Sequence, residues 1–367
     1  MNLSNEDSLR LHVMLRQQPR AIRIDDSKMI VHALTRQGEA TITLNPTCRE
    51  EKYLKLVREL LSTHVMGSPG GYPVYIRRWT RMGQQRDDSS LRNLLLLGEP
   101  EAVTAVVNTP GISAELAELA WWAQPTAEIA RQLLRSPHVV AAPLGKELAD
   151  FLIEFLPFED NHQLSIDSVR LALQPGLLDD KTIATLWRKA RRRQSYYIGF
   201  LHALPDSLPD QRPPHPLHAT AEKALEHSDT AETQILLRAL SAPGQTFLHT
   251  AAAILPKLPN QDATIELLEA IGAYFNTIRP DTHQYRDFDT IRTRAAEILE
   301  QHNPLGETAS EHPRLNDMLN ACLQLSLVNE YLAAPIFGRT DAIGSVMRKR
   351  LQPITDPLAQ NLQQLTT

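Results

Sequence analysis

Apolar positions along this chain change their rhythm once, near residue 86. Before that point, helical spacing mixes with strict alternation. Residues 4–17 predict a short helix with Leu9, Val13 and Leu15 on its apolar side. Residues 21–24 alternate, 28–35 favour β structure, and 40–44 alternate again after Gln37-Gly38. Two such runs around a glycine-containing turn predict a hairpin. Residues 49–66 return to helical spacing, with Tyr53, Leu56, Val57, Leu60, Leu61 and Val65 three or four apart. Gly67-Ser68-Pro69-Gly70-Gly71 predicts a loop, and Val74-Tyr75-Ile76 a last strand. A small α+β domain over residues 1–85 is expected.

After residue 86 the apolar runs are short and helical. The expected helices are 89–97, 100–107, 113–123, 126–134, 144–156, 165–173, 179–193 and 195–204, a first helical block over 86–204. Most runs stop at Glu99-Pro100, Pro110-Gly111, Gln124-Pro125, Ser136-Pro137 or Pro175-Gly176. Proline suits a first helical turn and breaks a helix interior, so these pairs mark where one helix ends and the next begins. Ser113 with Glu115, Thr126 with Glu128, and Asp179-Asp180 supply the caps and early acids that helix starts favour. Pro205, Pro209, Pro213, Pro214 and Pro216 predict an extended, semi-rigid linker over 205–216. A second helical block, 217–367, follows with helices at 218–226, 230–240, 247–255, 262–277, 288–301, 313–333, 341–351 and 357–365. Connections of a few residues favour antiparallel neighbours. The expected fold is mainly α, an α-helical array with HEAT-like stacking of antiparallel helices and a small N-terminal α+β domain. No repeat of fixed length accompanies it. Arrays of this kind mostly bind partners.

Composition narrows the class. Apolar residues are 42% of the chain, too many for a disordered protein. Aromatics are only 5%, which favours helix packed on helix over a β-sandwich. With 38 basic and 43 acidic residues the net charge is -5, and the balance announces neither a nucleic-acid nor a membrane protein. No apolar stretch approaches a membrane span, so no membrane insertion is expected. Residues 1–10 carry Glu6 and Asp7 and do not resemble a signal peptide. Cys48 and Cys322 form no CxxC pair, which removes the usual zinc, thioredoxin-like and iron–sulfur ligands. The expectation is a cytoplasmic chain without a cofactor.

Few clusters suggest chemistry. Arg188, Lys189, Arg191, Arg192 and Arg193 form the densest basic run, with Tyr196 and Tyr197 just beyond. They either grip nucleic-acid phosphates while the tyrosines stack on bases, or offset a helix dipole from a solvated face. Arg77, Arg78, Trp79 and Arg81 form a second basic-aromatic group, an anion or RNA site or a charge-protected edge strand. The 67–71 loop lacks the Gly-Lys-Ser/Thr ending of a phosphate loop. His215-Pro216-Leu217-His218 reads as two exposed histidines of the linker. Glu147, Asp150, Glu154, Glu159 and Asp160 read as a solvated acidic face. Ser195 has no sequence partner for nucleophilic catalysis. Of Trp121 and Trp122, at least one ring is expected in the core, with a partner hot spot as the alternative.

Three stretches add a resemblance. They are Ser90-Leu91-Arg92-Asn93-Leu94-Leu95-Leu96-Leu97-Gly98-Glu99-Pro100-Glu101-Ala102-Val103, Ala120-Trp121-Trp122-Ala123-Gln124-Pro125-Thr126, and Phe151-Leu152-Ile153-Glu154-Phe155-Leu156-Pro157-Phe158-Glu159. Together they resemble the DsrS family of sulfur-metabolism proteins, encoded with the reverse dissimilatory sulfite reductase genes of sulfur-oxidising bacteria. The likeness runs along most of the chain and is clearest over 86–160. These are packing motifs and carry no catalytic residues. The resemblance implies a soluble, cytoplasmic, non-enzymatic accessory protein, a scaffold or regulator in sulfur oxidation. Its expected partner is a protein of the sulfite reductase or sulfur-relay machinery. The alternatives are a nucleic-acid-binding regulator acting through the basic clusters, and an enzyme built on a helical array.

Overall fold

A computed structural model describes residues 3–73, 88–301, 304–306, 308–338 and 342–367. The chain is mainly helical, with a small three-stranded antiparallel sheet near its N-terminus. It divides into two compact units, residues 1–152 and 153–367.

The first unit opens with α1 (Asn5–Arg16), then β1 (Ala21–Asp25), β2 (Ile30–Thr35), β3 (Gly38–Thr43) and α2 (Glu50–Met66). The expected hairpin is β2–β3, with Thr35 paired to Gly38, and β1 adds to its other side with Arg23 opposite His32. Alternation gives the sheet two faces. Ile22, Val31 and Ala33 join Leu11, Met14 and Leu15 of α1 and Tyr53, Val57 and Leu61 of α2 in one core. Arg23, His32 and Thr41 fall on the opposite face. The α1 face differs from expectation. Asp7, Leu11, Met14 and Leu15 are buried, whereas Leu9 and Val13 are 67% and 51% exposed. Asp7 turns the helix: its Oδ2 accepts from the Tyr53 hydroxyl at 2.5 Å and the Asn45 amide at 2.8 Å.

Next come α3 (Asp88–Leu94), α4 (Pro100–Val107), α5 (Ala114–Ala123), α6 (Ala127–Leu133), α7 (Pro137–Val140) and α8 (Pro143–Phe155). Ser113 and Thr126 cap α5 and α6 through their hydroxyls, as their positions predict. A break at residue 85 does not separate these helices from the sheet. The Ile22 amide donates to Leu95 O at 2.8 Å, α5 packs on β1, and Glu115 accepts from both Arg20 and Arg92.

The second unit contains α9 (His162–Ala172), α10 (Asp180–Ala190), α11 (Gln194–Ala203), α12 (His218–Ala224), α13 (Ala231–Leu240), α14 (Ala242–Ile254), α15 (Gln261–Tyr274), α16 (Phe288–Gln301), α17 (Thr308–Glu311), α18 (Pro313–Ser326), α19 (Ala334–Phe337) and α20 (Gly344–Gln364). Some neighbours stack, α10 on α11 and α13 on α14. Others meet across the sequence: α11 with α15, α13 with α18, and α14 with α20. The core of this unit therefore draws on helices far apart in sequence as well as on chain neighbours. Phe200, Phe247, Phe275 and Cys322 are fully enclosed in it.

Residues 205–216 belong to this unit and are no free linker. Leu208 is in the core, the His215 amide donates to Leu240 O, and Asp206 pairs with Arg238 at 2.6 Å. His215 is buried, which corrects its reading as an exposed histidine. The helices expected at 341–351 and 357–365 are one helix, α20, with Pro353 and Pro357 inside it. Met347, Leu351, Ile354, Leu358 and Leu362 make a continuous buried stripe, and this packing carries the helix across both prolines. The helix expected over 313–333 stops at Ser326, and Asn329 caps a short 3-10 turn, Glu330–Leu332.

Candidate functional site

The basic run of 188–193 folds into two different environments. Asp179 caps α10 by accepting from the Thr182 amide at 2.7 Å, and the helix carries Trp187 inward against Phe200 and Tyr197, edge to face. Past the helix end, Arg193 turns back into the protein. Its guanidinium donates to Leu156 O at 2.8 Å and Glu159 O at 2.7 Å, and lies beside the Tyr196 ring. Tyr196 is buried and donates to Leu156 O at 3.2 Å. Arg193 and Tyr196 therefore hold the 156–159 corner and are not placed to grip a nucleic acid. Tyr197 is half-buried against Trp187, and burial raises its phenol pKa. Arg188, Lys189, Arg191 and Arg192 remain exposed, and among the described residues none of the four pairs with a carboxylate. The second basic group, Arg77, Arg78, Trp79 and Arg81, lies outside the described residues, as does the strand expected at 74–76.

A half-buried polar seam also lies in the second unit. His162 Nδ1 lies 3.1 Å from Ser195 Oγ, a pairing the sequence does not show. Ser195 is 0% exposed, so this nucleophile–base geometry has no access to substrate. Burial, and then Arg193, lowers the His162 pKa. Nearby, Glu266 accepts from Gln163 and faces His202 at 3.0 Å, and the His202 contact holds its carboxyl below the ordinary value. The tryptophans separate: Trp121 is buried against Phe151 and donates to Glu147 Oε1 at 2.7 Å, while Trp122 is half-buried under Arg23.

Sequence reasoning misses one cavity. It lies in the first unit beside β1 and has a volume of about 500 Å³. Arg23, Lys28, His32 and Gln124 supply its polar wall, and Ile24, Ile30, Pro100, Val103 and Pro125 its apolar one. Arg23 reaches it from β1, with its guanidinium 5.0 Å from the Trp122 ring centre and bonds to Trp122 O and Glu39 at 3.4 and 3.3 Å. Glu39 also accepts from or faces His32 at 2.6 Å. Two carboxylates line the cavity, both already engaged. Asp25 accepts from Ser27 Oγ and the Lys28 amide, which lower its pKa. Glu99 accepts from the Tyr72 amide at 3.0 Å, and burial raises its pKa. Gly98 closes the floor at φ +64°, where a Cβ would stand 2.8 Å from Ile24 Cδ1. No local spacing announces this site, because its polar residues come from β1, the β1–β2 turn and the end of α5.

Among the described residues no group of three or more His, Cys, Asp or Glu side chains is arranged to hold a metal ion, and no helix is long and apolar enough to cross a membrane. Comparisons with protein-family models, curated proteins and solved structures return no match.

Proposed function

We propose that this chain is a non-catalytic helical scaffold or regulatory accessory protein of cytoplasmic sulfur oxidation, acting by binding a protein partner of the sulfite reductase or sulfur-relay machinery. The sulfur context rests on the DsrS resemblance. The observation that carries the binding role is the aromatic pair Phe155 and Phe158, whose rings lie 6.3 Å apart and are 38% and 76% exposed. Large aromatics held at a surface are the side chains that dominate protein interfaces. Neighbour stacking of helices, as between α10 and α11, supplies the rigid support such a surface needs.

The test is a pull-down of the tagged full chain from sulfur-oxidising cells, read by mass spectrometry with and without nuclease. Sulfite reductase or sulfur-relay components retained in both halves, and lost with Phe158→Asp, are expected. Their absence from both halves rejects the proposal.

A second reading rests on Arg188, Lys189, Arg191 and Arg192, four exposed cations that pair with no carboxylate among the described residues. They suit the phosphate backbone of a nucleic acid, and the regulatory role would then lie in gene expression. Such binding falls steeply with salt. Arg191→Glu with Arg192→Glu should abolish it, and unchanged affinity rejects this reading.

A further inference from the structure

We infer that the cavity beside β1 binds a small organic anion, through a carboxylate or phosphate group held by Arg23 and Lys28. The site is independent of the surfaces invoked above.

Three observations converge on it. First, the polar wall is rich in donors. Arg23 has five N–H groups and directs two to Glu39 and Trp122 O, over contacts of 3.3 and 3.4 Å that are long for a guanidinium. Lys28 Nζ pairs with Asp25 at 3.5 Å, and its side chain, 72% exposed, is long enough to turn from that loose pair toward an anion. Gln124 also lines the cavity, and its buried Oε1, an acceptor without a partner, adds no donor to that wall. Second, the guanidinium is pre-positioned. The Trp122 ring and carbonyl, together with Glu39, hold the Arg23 guanidinium beside the cavity before any ligand arrives, which reduces the ordering that accompanies binding. Third, the opposite wall is apolar and the volume of about 500 Å³ lies in the range of small-molecule sites. The N-terminus of α4 opens on the same space at Pro100, with the sign that favours an anion.

The carboxylates set the size of the acid group. Asp25 and Glu99 are committed to Ser27, Lys28 and Tyr72, so they repel a second charge that approaches them without competing for the donors on Arg23. A compact oxyanion with an apolar body satisfies both walls; a polyanion does not.

Calorimetric titration of the full chain with benzoate, phenyl phosphate and inorganic phosphate tests this. Saturable binding of benzoate or phenyl phosphate at one site per chain is expected, and which of the two binds distinguishes carboxylate from phosphate. Binding should weaken by about tenfold in Lys28→Glu, in line with loss of one charge-assisted bond. It should be unchanged in the Arg191→Glu, Arg192→Glu variant, which separates this site from the exposed basic run. Absence of saturable binding up to about 10 mM, weaker than any specific site is expected to be, overturns the inference. So does full affinity in Lys28→Glu, or inorganic phosphate binding as tightly as phenyl phosphate.

Discussion

At the scale of single residues, adjacent side chains of one type have different work. Arg191 and Arg192 are solvated, whereas Arg193 ties two carbonyls of the 156–159 corner. Removing a charged donor from buried carbonyls leaves them unsatisfied, so Arg193→Ala should lower stability by about 2–3 kcal/mol. Arg191→Ala should stay within about 0.5 kcal/mol of the parent, as surface changes do. Urea midpoints of the two variants check both values. Asp7 makes the same point in the first unit. Its 0% exposure and its bonds to Tyr53 and Asn45 predict that Asp7→Ala costs about 2–4 kcal/mol, again by urea unfolding. A carboxylate at a core position is the reason the apolar side of α1 is misassigned from sequence. Apolar spacing offered Leu9 and Val13, and only the distant Tyr53 hydroxyl explains why they face solvent.

Helices and strands were more legible than the residues between them. Caps at Ser113, Thr126 and Asp179 and the β2–β3 hairpin are local signals, decided within a few residues, and they stand where expected. Asp179→Ala should therefore cost about 1 kcal/mol, read as a lowered urea midpoint. Proline punctuation holds at Pro100, Pro137 and Pro313, each in a first turn, and fails at Pro353 and Pro357. There the local rule loses to the packing of the buried stripe of α20, a long-range term that local spacing does not carry. Pro353 itself is exposed. Pro353→Ala should return an amide donor to the helix and raise stability by about 1 kcal/mol, again by urea unfolding.

Across the whole molecule, helical class followed from composition and period, but the division into units did not. The boundary near residue 152 arises from bonds between segments far apart in sequence, such as Ile22 to Leu95 and His215 to Leu240. The cavity is illegible for the same reason, since Arg23 and Gln124 share no spacing. One bulk property follows from the second unit. Burial lowers the pKa values of His162, His215 and His249 below 6.5. Each unfolded histidine then binds a proton more readily than its folded counterpart, so stability falls as pH drops through 6.5 and is regained above it. His215 shows why: its Nδ1 accepts from the Leu217 amide, a bond available only to the neutral ring. The urea midpoint should be lower at about pH 5.5 than at about pH 7.5, and His215→Gln should flatten that difference.

The two thiols give the protein a clock of its own. Cys322 is fully enclosed in the second unit, and burial raises its pKa far above that of a reactive thiol, whereas Cys48 is only half-buried. In a solution of a coloured thiol reagent, Cys48 should label within the mixing of the sample. Cys322 should label only as often as the helices around it part, so the slow phase of colour counts openings of the core under native conditions. Any ligand or partner that clasps the second unit will lengthen that phase, whether or not it touches sulfur.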